Sequence, residues 1–407
     1  MIGYDPFSPA AMGDPHPLYR ELRASSPVHP LPQYDGFALA RFEDVWAVIG
    51  DAQSFSLAEG PVFAREVVAT PCAPAALEPS GPGRSFASWD PPLHTRIRQA
   101  LSPPFRPHAV ARLEGEVRAL ARERLAALVP RGRLDVVGDY ASPVSVAVIC
   151  RVLGLPADEG PRWVALVNRS ARREAGRPGM SPEGLAAQRE LHARVAARLR
   201  EGSAAGAPEA GVLGALRGAE LAGCPLDETQ IATQLLTLLV GAVETLPKIL
   251  AGGLRELALR PDQRAALAGD PGLAAGAFEE MVRHQGVLQH VGRTALRPLE
   301  LRGQRIRRGQ RLFLLLQSAN RDEREFEAPD DFDIRRRAPR QLGFGHGPHH
   351  CIGAPLARLE GRVLLEELLR RIPEYAVDEA GARRPPSEFQ IGYTALAIAF
   401  PHAEVLP

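Results

Sequence analysis

The sequence predicts a single, mainly α-helical domain with small β-sheets, and three observations support this prediction. Of the 407 residues, 45% are hydrophobic and 24% are charged, which is enough apolar material for a large packed core. Amphipathic helical patterns outnumber strand-like stretches, and the strands do not alternate with helices as a doubly wound sheet requires. No Ser/Gly linker or block of charge divides the chain, so we expect one domain over residues 1–407.

The predicted helices share a spacing of three and four residues between apolar side chains, with arginine and glutamate between them. In order along the chain they cover residues 16–25, 109–128, 144–153, 161–174, 182–200, 231–259, 271–284 and 355–372. The strand-like stretches are few and short, at residues 36–40, 293–301, 304–306, 311–316 and 395–400.

Charge and cysteine content exclude several classes of protein. The formal net charge is +1, from 49 basic and 48 acidic residues, which argues against bulk nucleic-acid binding. The four cysteines lie far apart without a disulfide framework, so we expect a cytoplasmic protein. Only residues 231–254 approach the length of a membrane span, and Glu244, Pro247 and Lys248 within them favour a buried helix. We expect no membrane segment, and a monomeric chain.

Residues 341–360, QLGFGHGPHHCIGAPLARLE, are the most informative segment. Four glycines surround Cys351, and an amphipathic helix follows at once. Glycine lets the backbone approach a flat ligand and the helix dipole favours a thiolate, so Cys351 suits an axial ligand of haem iron. Three other interpretations stay open on these residues alone: a buried structural thiol, a catalytic nucleophile, or a zinc site with His346, His349 and His350.

The pattern F-G-x-G-x-H-x-C-x-G followed by L-A-R resembles the haem-binding loop of cytochromes P450. Its members here are Phe344, Gly345, Gly347, His349, Cys351, Gly353, Leu356, Ala357 and Arg358. The resemblance implies the cytochrome P450 fold, haem b as the cofactor and Cys351 as the ligand of its iron. It also implies that Phe344, His349 and Gly353 contribute to the haem site. Further family features occur in the expected order, so the resemblance covers nearly the whole chain.

Residues 280–283, Glu-Met-Val-Arg, resemble the E-x-x-R signature of the same family. Residues three apart share a helix face, so Glu280 and Arg283 can pair. The resemblance adds Arg336, in PDDFDIRR, as a third member of the network. We expect these three residues to be structural and to hold the cysteine loop, because breaking a buried pair strands a charge.

Residues 89–98, WDPPLHTRIR, resemble a family segment whose side chains bind the haem propionates. We expect Asp90 to cap the helix that follows. His94 and Arg98 are four residues apart, so they can donate to one carboxylate from one helix face. Arg293, in GRTA, and His349 resemble the family's other propionate ligands.

Residues 241–245, Gly-Ala-Val-Glu-Thr, resemble the family's oxygen-binding signature on the central helix. Small side chains at Gly241 and Ala242 leave room for a diatomic ligand, although the family more often has glycine where this chain has Ala242. The resemblance implies that Glu244 and Thr245 are catalytic and relay protons to dioxygen.

Pro247 is expected to bend the same helix. Proline has no N–H, so the carbonyl of Val243 loses its helical partner and the helix should kink locally. A buried carbonyl needs some partner, which we expect to be water or the Thr245 hydroxyl.

By the same resemblance, four regions line the substrate pocket: the 57–88 loop, the helices within 161–200, the stretch after E-x-x-R, and the turn at 391–394. The residues expected to contact substrate are Ala242, Leu288, Gln289, His290, Ile391 and Tyr393. Their mixed apolar and polar character predicts a lipophilic terpenoid, steroid or polyketide-like molecule with a polar handle.

The resemblance implies a monooxygenase that takes electrons from a ferredoxin and its ferredoxin reductase. A basic patch is expected to steer this acidic partner, formed by Arg337, Arg340, Arg358 and Arg362. Two alternatives are a haem-thiolate sensor or carrier, and a peroxide-dependent or non-oxygenase enzyme. The intact Glu244–Thr245 pair argues against both, because a sensor needs no proton relay and the family members of the second kind often lose this pair.

Overall fold

The computed structural model of the chain describes residues 3–63, 65–73, 77, 84–156, 158–171, 180–204, 211–221 and 224–401. Its helices are α1 Pro9–Gly13, α2 His16–Ser25, α3 Phe42–Gly50, α4 Arg65–Val68, α5 Leu93–Leu101, α6 Pro107–Ala111, α7 Glu114–Leu128, α8 Ser142–Leu153, α9 Gly160–Ser170, α10 Pro182–Ala204, α11 Gly211–Arg217, α12 Glu228–Ala258, α13 Pro261–Gly269, α14 Ala274–Gln285, α15 Leu316–Ala319 and α16 Ala354–Arg371. A π-helical turn over Val136–Ala141 leads into α8. The predicted mainly α fold is confirmed.

The strands form small sheets. They are β1 Val28–Leu31, β2 Gly36–Leu39, β3 Phe55–Ser56, β4 Arg133–Asp135, β5 Glu220–Leu221, β6 Cys224–Pro225, β7 His290–Ala295, β8 Leu299–Leu301, β9 Gln304–Ile306, β10 Arg311–Leu315, β11 Ala376–Val377 and β12 Ala397–Ala399. The largest sheet has the order β1-β2-β10-β7-β3, in which β2 and β10 are parallel and the other neighbours antiparallel. A second sheet has the order β11-β12-β4, and β5-β6 and β8-β9 are two-stranded.

Most predicted elements are observed within a few residues of their predicted ends, and the exceptions have local causes. The predicted helix 109–128 is divided into α6 and α7. The predicted strand 293–301 is two strands, separated at Pro298, which has no N–H for a sheet ladder. The predicted helix 161–174 is α9 as far as Ser170, and residues 172–174 lie outside the described residues. Helices α3 and α13 are not among the predicted elements.

Helix α12 is the centre of the fold. Asp227 and Gln230 form a capping box at its start, with two backbone-to-side-chain hydrogen bonds of 2.8 Å. The helix runs for 31 residues and contacts α8, α10, α14 and α16. Because α14 also packs against α16, the E-x-x-R segment and the helix that follows Cys351 are neighbours.

Two segments are long and apolar enough to cross a membrane by length and composition, one more than the sequence indicates. They are Val136–Leu153 and Glu228–Ala258, and in each 72% of the apolar window is buried inside the protein. Burial of this extent is typical of core helices.

Glu360 on α16 makes the stability of the fold depend on pH. Its carboxyl is buried against α8, where Ser145 Oγ donates to Glu360 Oε2 at 2.8 Å. Burial raises the pKa of Glu360 from its ordinary 4.5 to about 8, and the Ser145 hydrogen bond opposes part of this rise. Between those two values the folded state binds more protons than the unfolded state, so stability falls as the pH rises from 4.5 to 8.

Glu360→Gln should remove this loss of stability. One pKa unit corresponds to about 1.4 kcal/mol, so the variant should exceed the wild type by a few kcal/mol at pH 8 and by much less at pH 5. The measurement is the apparent free energy of unfolding from urea titrations at several pH values. The exposed Glu374→Gln is the control and should follow the wild type. A difference between Glu360→Gln and wild type that does not change with pH would contradict the assignment.

Candidate functional site

Cys351 lies on a turn between a 3₁₀ segment, Gly347–His349, and α16. The Cys351 N–H donates to the Phe344 carbonyl at 2.8 Å, which closes the loop on itself. Gly347 has a φ of 68°, and a Cβ there would come within 2.9 Å of Gly50 Cα on α3. Glycine is therefore required where the loop passes α3.

Cys351 is solvent-accessible although protein packs around its thiol, so a ligand can reach the sulfur. Burial raises the pKa of the Cys351 thiol, while the N–H groups of Gly353 and Ala354 and the charge of Arg98 act in the opposite direction. A Cβ on Gly353 would lie 3.9 Å from Cys351 Sγ, so a side chain there would touch the sulfur.

The histidines around Cys351 point away from one another. The His346 ring stacks on Trp46 with centroids 3.7 Å apart, and the His349 ring lies 3.9 Å from that of His94. In the part of the chain that the structure describes, no group of three or more His, Cys, Asp or Glu side chains is placed to hold a metal ion. The zinc interpretation of this cluster therefore has no support.

Glu280 and Arg283 form a buried, two-pronged ion pair on α14. Arg283 Nε donates to Glu280 Oε2 and its terminal Nη2 to Oε1, both at 2.7 Å, and the two side chains are 0–1% exposed. The remaining Arg283 donors reach the carbonyls of Asn320, Pro329 and Asp331 at 2.8–3.0 Å. Every donor of the guanidinium is thus used inside the protein.

Arg336 joins the same carboxylate, and the network continues to the cysteine loop. Arg336 Nε donates to Glu280 Oε1 at 3.2 Å. Asn320, whose carbonyl accepts from Arg283, also accepts from the Leu342 N–H at 2.7 Å through its side-chain oxygen. Leu342 is the second residue of segment 341–360, so one asparagine connects the ion pair to that segment.

Four residues predicted to bind propionates come together near Cys351, and we call them the haem cradle: His94, Arg98, Arg293 and His349. His94 Nδ1, His94 Nε2 and His349 Nε2 are buried and have no hydrogen-bond partner among the described residues. Burial lowers the pKa of His94 to about 4 and that of His349 to about 2, so both rings are neutral. Arg293 is 4% exposed and donates to the adjacent Gly292 carbonyl, and burial lowers its pKa to about 10.

The haem cradle fits haem b. A buried donor without an acceptor costs free energy, about 1–3 kcal/mol for each group. Within the described chain, the cradle contributes unpartnered ring nitrogens from two separate segments, His94 on α5 and His349 in the 3₁₀ segment, next to an accessible cysteine. A ligand with two carboxylates, such as haem b, supplies the acceptors that these donors lack.

Asp90 does not cap α5, so that prediction was wrong. The helix begins at Leu93 after Pro92, without a side-chain cap. The Asp90 carboxylate instead accepts from the Leu57 N–H at 2.9 Å and from the Ser56 hydroxyl. Donors at the end of β3 compete successfully for this carboxylate.

Gly241 is exposed in the middle of the otherwise buried helix α12. No atom lies within 4 Å of a Cβ built at Gly241, whereas Ala242 is half-buried and packs against the core. Thr245 Oγ1 donates to the Gly241 carbonyl at 2.7 Å, so its hydroxyl lies along the face that Gly241 opens. Of the two partners expected for the Val243 carbonyl, water and the Thr245 hydroxyl, the hydroxyl is not the partner, because it donates to the Gly241 carbonyl instead.

The Glu244 carboxylate pairs with lysine. Lys248 Nζ donates to Glu244 Oε1 at 2.7 Å and to Gln390 Oε1 at 3.1 Å, and the two charged side chains are 5–8% exposed. Glu244 and Thr245 thus point in opposite directions along α12, and no hydrogen bond joins them among the described residues. The pair with Lys248 was missed, although a spacing of four residues brings side chains together on a helix.

A cavity of about 840 Å³ opens beside this ion pair. Its lining comes from three of the four predicted regions, the 57–88 loop, helix α10 and the turn at 391–394, together with residues 385–390 and the part of α12 from Thr229 to Lys248. The residues of α12 that line it are Thr229, Thr233, Leu236, Thr237, Val240, Glu244 and Lys248. Ala242 is not among the lining residues.

The stretch after E-x-x-R does not line the cavity as predicted. Gln289 accepts from the Tyr19 hydroxyl at 2.7 Å and donates to two carbonyls at 2.6 and 3.1 Å. Its polar atoms are therefore used in hydrogen bonds inside the protein core. The ring of buried His290 lies 5.2 Å from that of Phe313. Leu288 packs against an apolar cluster that includes Val291 and Leu314 of the largest sheet.

In the turn at 391–394, the neighbours of the predicted residues line the cavity. Gln390, Gly392 and Thr394 face it, whereas Ile391 is buried and Tyr393 packs against the main core. Successive side chains of an extended segment point to opposite sides, so an error of one residue reverses the assignment.

The predicted basic patch is largely neutralised. Arg340 pairs with Glu43 and Glu325, and Arg358 pairs with Glu279. Arg362 pairs with two further glutamates. Of the four predicted arginines, only Arg337 keeps an unpaired charge within the described residues.

Comparisons with known proteins agree with this geometry. A family model for cytochrome P450 matches residues 273–391. Cytochrome P450 130 of Mycobacterium tuberculosis is 32% identical over 377 residues, which cover 90% of this chain and 90% of that protein. Cytochrome P450 monooxygenase PikC of Streptomyces venezuelae is 32% identical, covering 90% of this chain and 85% of that protein. The structure of the LnmA cytochrome P450 hydroxylase of Streptomyces atroolivaceus matches with a TM-score of 0.80 at 31% identity, over 95% of this chain and 96% of that one.

Glu280→Gln should lose soluble protein and haem together. The change leaves Arg283 and Arg336 as buried charges without an anion, which costs about 3–5 kcal/mol. Expression yield and the haem-to-protein absorbance ratio measure the outcome. Glu123→Gln, exposed on α7 and away from the cysteine loop, should change neither by much. A soluble Glu280→Gln protein with full haem would show that the pair is not structural.

Proposed function

Because the chain belongs to the cytochrome P450 family, whose members are haem monooxygenases, we propose that it inserts one atom of dioxygen into a C–H bond of a lipophilic terpenoid, steroid or polyketide-like molecule. The observation that carries this proposal is the accessible Cys351 beside the unpartnered donors of the haem cradle. Relatives in bacteria support a cytoplasmic enzyme, and the resemblance supports a ferredoxin with its reductase as electron donor.

Cys351 and the haem cradle would hold the cofactor. Cys351 would provide the thiolate that binds the iron, and His94, Arg98, Arg293 and His349 would donate to the propionates. When bound, the haem supplies the redox chemistry that activates dioxygen. The E-x-x-R network keeps the cysteine loop in place without touching the reacting atoms.

Thr245 is proposed to move protons at the face that Gly241 opens. Its hydroxyl donates to the Gly241 carbonyl, so its oxygen can accept a proton from solvent or from an acid and pass one on. Glu244 is the nearest acid in sequence, but its carboxylate is held by Lys248. Proton delivery from Glu244 therefore requires the carboxylate to leave Lys248, or a water that reaches Thr245.

Thr245→Ala should uncouple the reaction. Without the hydroxyl, the variant should consume reduced cofactor and release peroxide while its product yield falls several-fold. The measurement is the ratio of product formed to NAD(P)H consumed, with a ferredoxin and its reductase supplied. Haem content should be unchanged.

Thr245→Ser is the matched control, because it keeps the hydroxyl and should keep most of the coupling. If Thr245→Ala retains the wild-type ratio, the relay does not pass through Thr245. Product formed equally well from peroxide without reductant would instead favour the peroxide-dependent alternative.

A further inference from the structure

The cavity beside α12 contains positive charge that no carboxylate lining it balances, within the described residues. The ionisable side chains that line it in the described part of the chain are Glu59, Arg84, Arg189, His192, Glu244 and Lys248. Both carboxylates are already paired. Arg311 binds Glu59 through two hydrogen bonds of 2.5 and 2.9 Å, and Lys248 binds Glu244. Neither is free to neutralise Arg84 or Arg189.

Arg84 is the more informative of these two cations. One terminal nitrogen of its guanidinium is buried without a hydrogen-bond partner among the described residues. Ser85 and Ser88 line the cavity next to it in sequence, and Arg189, exposed on α10, also lines the cavity. A guanidinium presents parallel N–H donors that match the two oxygens of a carboxylate.

The position of Arg84 relative to Gly241 is set by α12. Gln234 donates to the Arg84 carbonyl at 3.3 Å and accepts from the Phe86 N–H at 2.7 Å, so this segment is clamped to the helix. Gln234 precedes Gly241 by two helical turns, which is about 10 Å along the axis.

We propose that the substrate of this cavity carries a carboxylate that binds Arg84, and an apolar body that extends along Leu236 and Val240 toward Gly241. Along the helix axis, Gly241 lies about 10 Å, or two turns, beyond the residue that holds the Arg84 backbone, so the carbon to be oxidised is well separated from the carboxylate. Arg189, which is exposed on α10, attracts the anion before it reaches Arg84. This inference rests on the proposed function, because it names the chemical class of the molecule to be oxidised.

Dodecanoate and dodecan-1-ol are the probes, since they share a chain and differ in charge. Calorimetric titration of the haem-loaded full chain, with the shift of the haem absorption band as a second readout, should show tighter binding of dodecanoate. Arg84→Gln should weaken dodecanoate binding by roughly ten-fold or more, the effect expected for a hydrogen bond to a charged group. Binding of dodecan-1-ol should not change.

Two further variants distinguish a specific contact with Arg84 from a general effect of positive charge. Arg84→Lys keeps the charge and should recover part of the lost affinity. Arg112→Gln removes the same charge from an exposed site between α6 and α7 and should leave both probes unaffected. The proposal is overturned if the wild type fails to bind dodecanoate or binds dodecan-1-ol as tightly. It is equally overturned if Arg84→Gln and Arg112→Gln weaken binding alike, which would indicate bulk charge.

The result is separable from the proposed function. A protein that oxidises a neutral lipophilic compound with dioxygen and reductant, yet shows no preference for dodecanoate, would contradict only the carboxylate site. A protein that prefers dodecanoate through Arg84 but forms no oxidised product from any compound would contradict only the monooxygenase proposal. The calorimetric readout does not depend on turnover.

Discussion

The buried ion pair between Glu280 and Arg283 is the constraint on which the rest of the site depends. A pair of this kind contributes little net stability, because desolvation offsets much of the attraction, but removing one partner is costly. The pair positions the cysteine loop, because Arg283 also donates to the carbonyl of Asn320 and the side-chain oxygen of Asn320 accepts from the Leu342 N–H. The segment that carries Cys351 is thus connected to the ion pair on α14 through Asn320, and Gln341 adds a direct hydrogen bond to Glu279 of the same helix.

The haem cradle is the second constraint. Unlike the ion pair, it contains polar groups that the described part of the protein does not satisfy. Buried ring nitrogens of His94 and His349 have no hydrogen-bond partner among the described residues, and this costs free energy that a dicarboxylate ligand would recover. The network around Glu280 is fully satisfied by the protein alone. This contrast separates residues that build the site from residues that await a ligand.

The sequence predicted what depends on local spacing and on motifs. The positions of Glu280, Arg283 and Arg336, the glycine-rich turn and the central helix all follow from such patterns. Predictions failed where residues distant in sequence bind the side chain in question. Asp90 accepts hydrogen bonds at the end of β3 instead of capping a helix, and Gln289 forms hydrogen bonds within the core instead of lining the cavity. They also failed by one residue at Ile391 and Tyr393, because an extended turn alternates its faces. Lys248 could have been found from its four-residue spacing to Glu244.

The most direct test of this account is the absorption of the reduced protein under carbon monoxide. The account predicts that the wild type and His349→Ala show the red-shifted band of a thiolate-bound haem, with haem retained less well in the variant. Cys351→Ala should lack that band even where it still takes up haem. A Cys351→Ala protein that keeps the red-shifted band would show that another group binds the iron and would contradict the account at its centre.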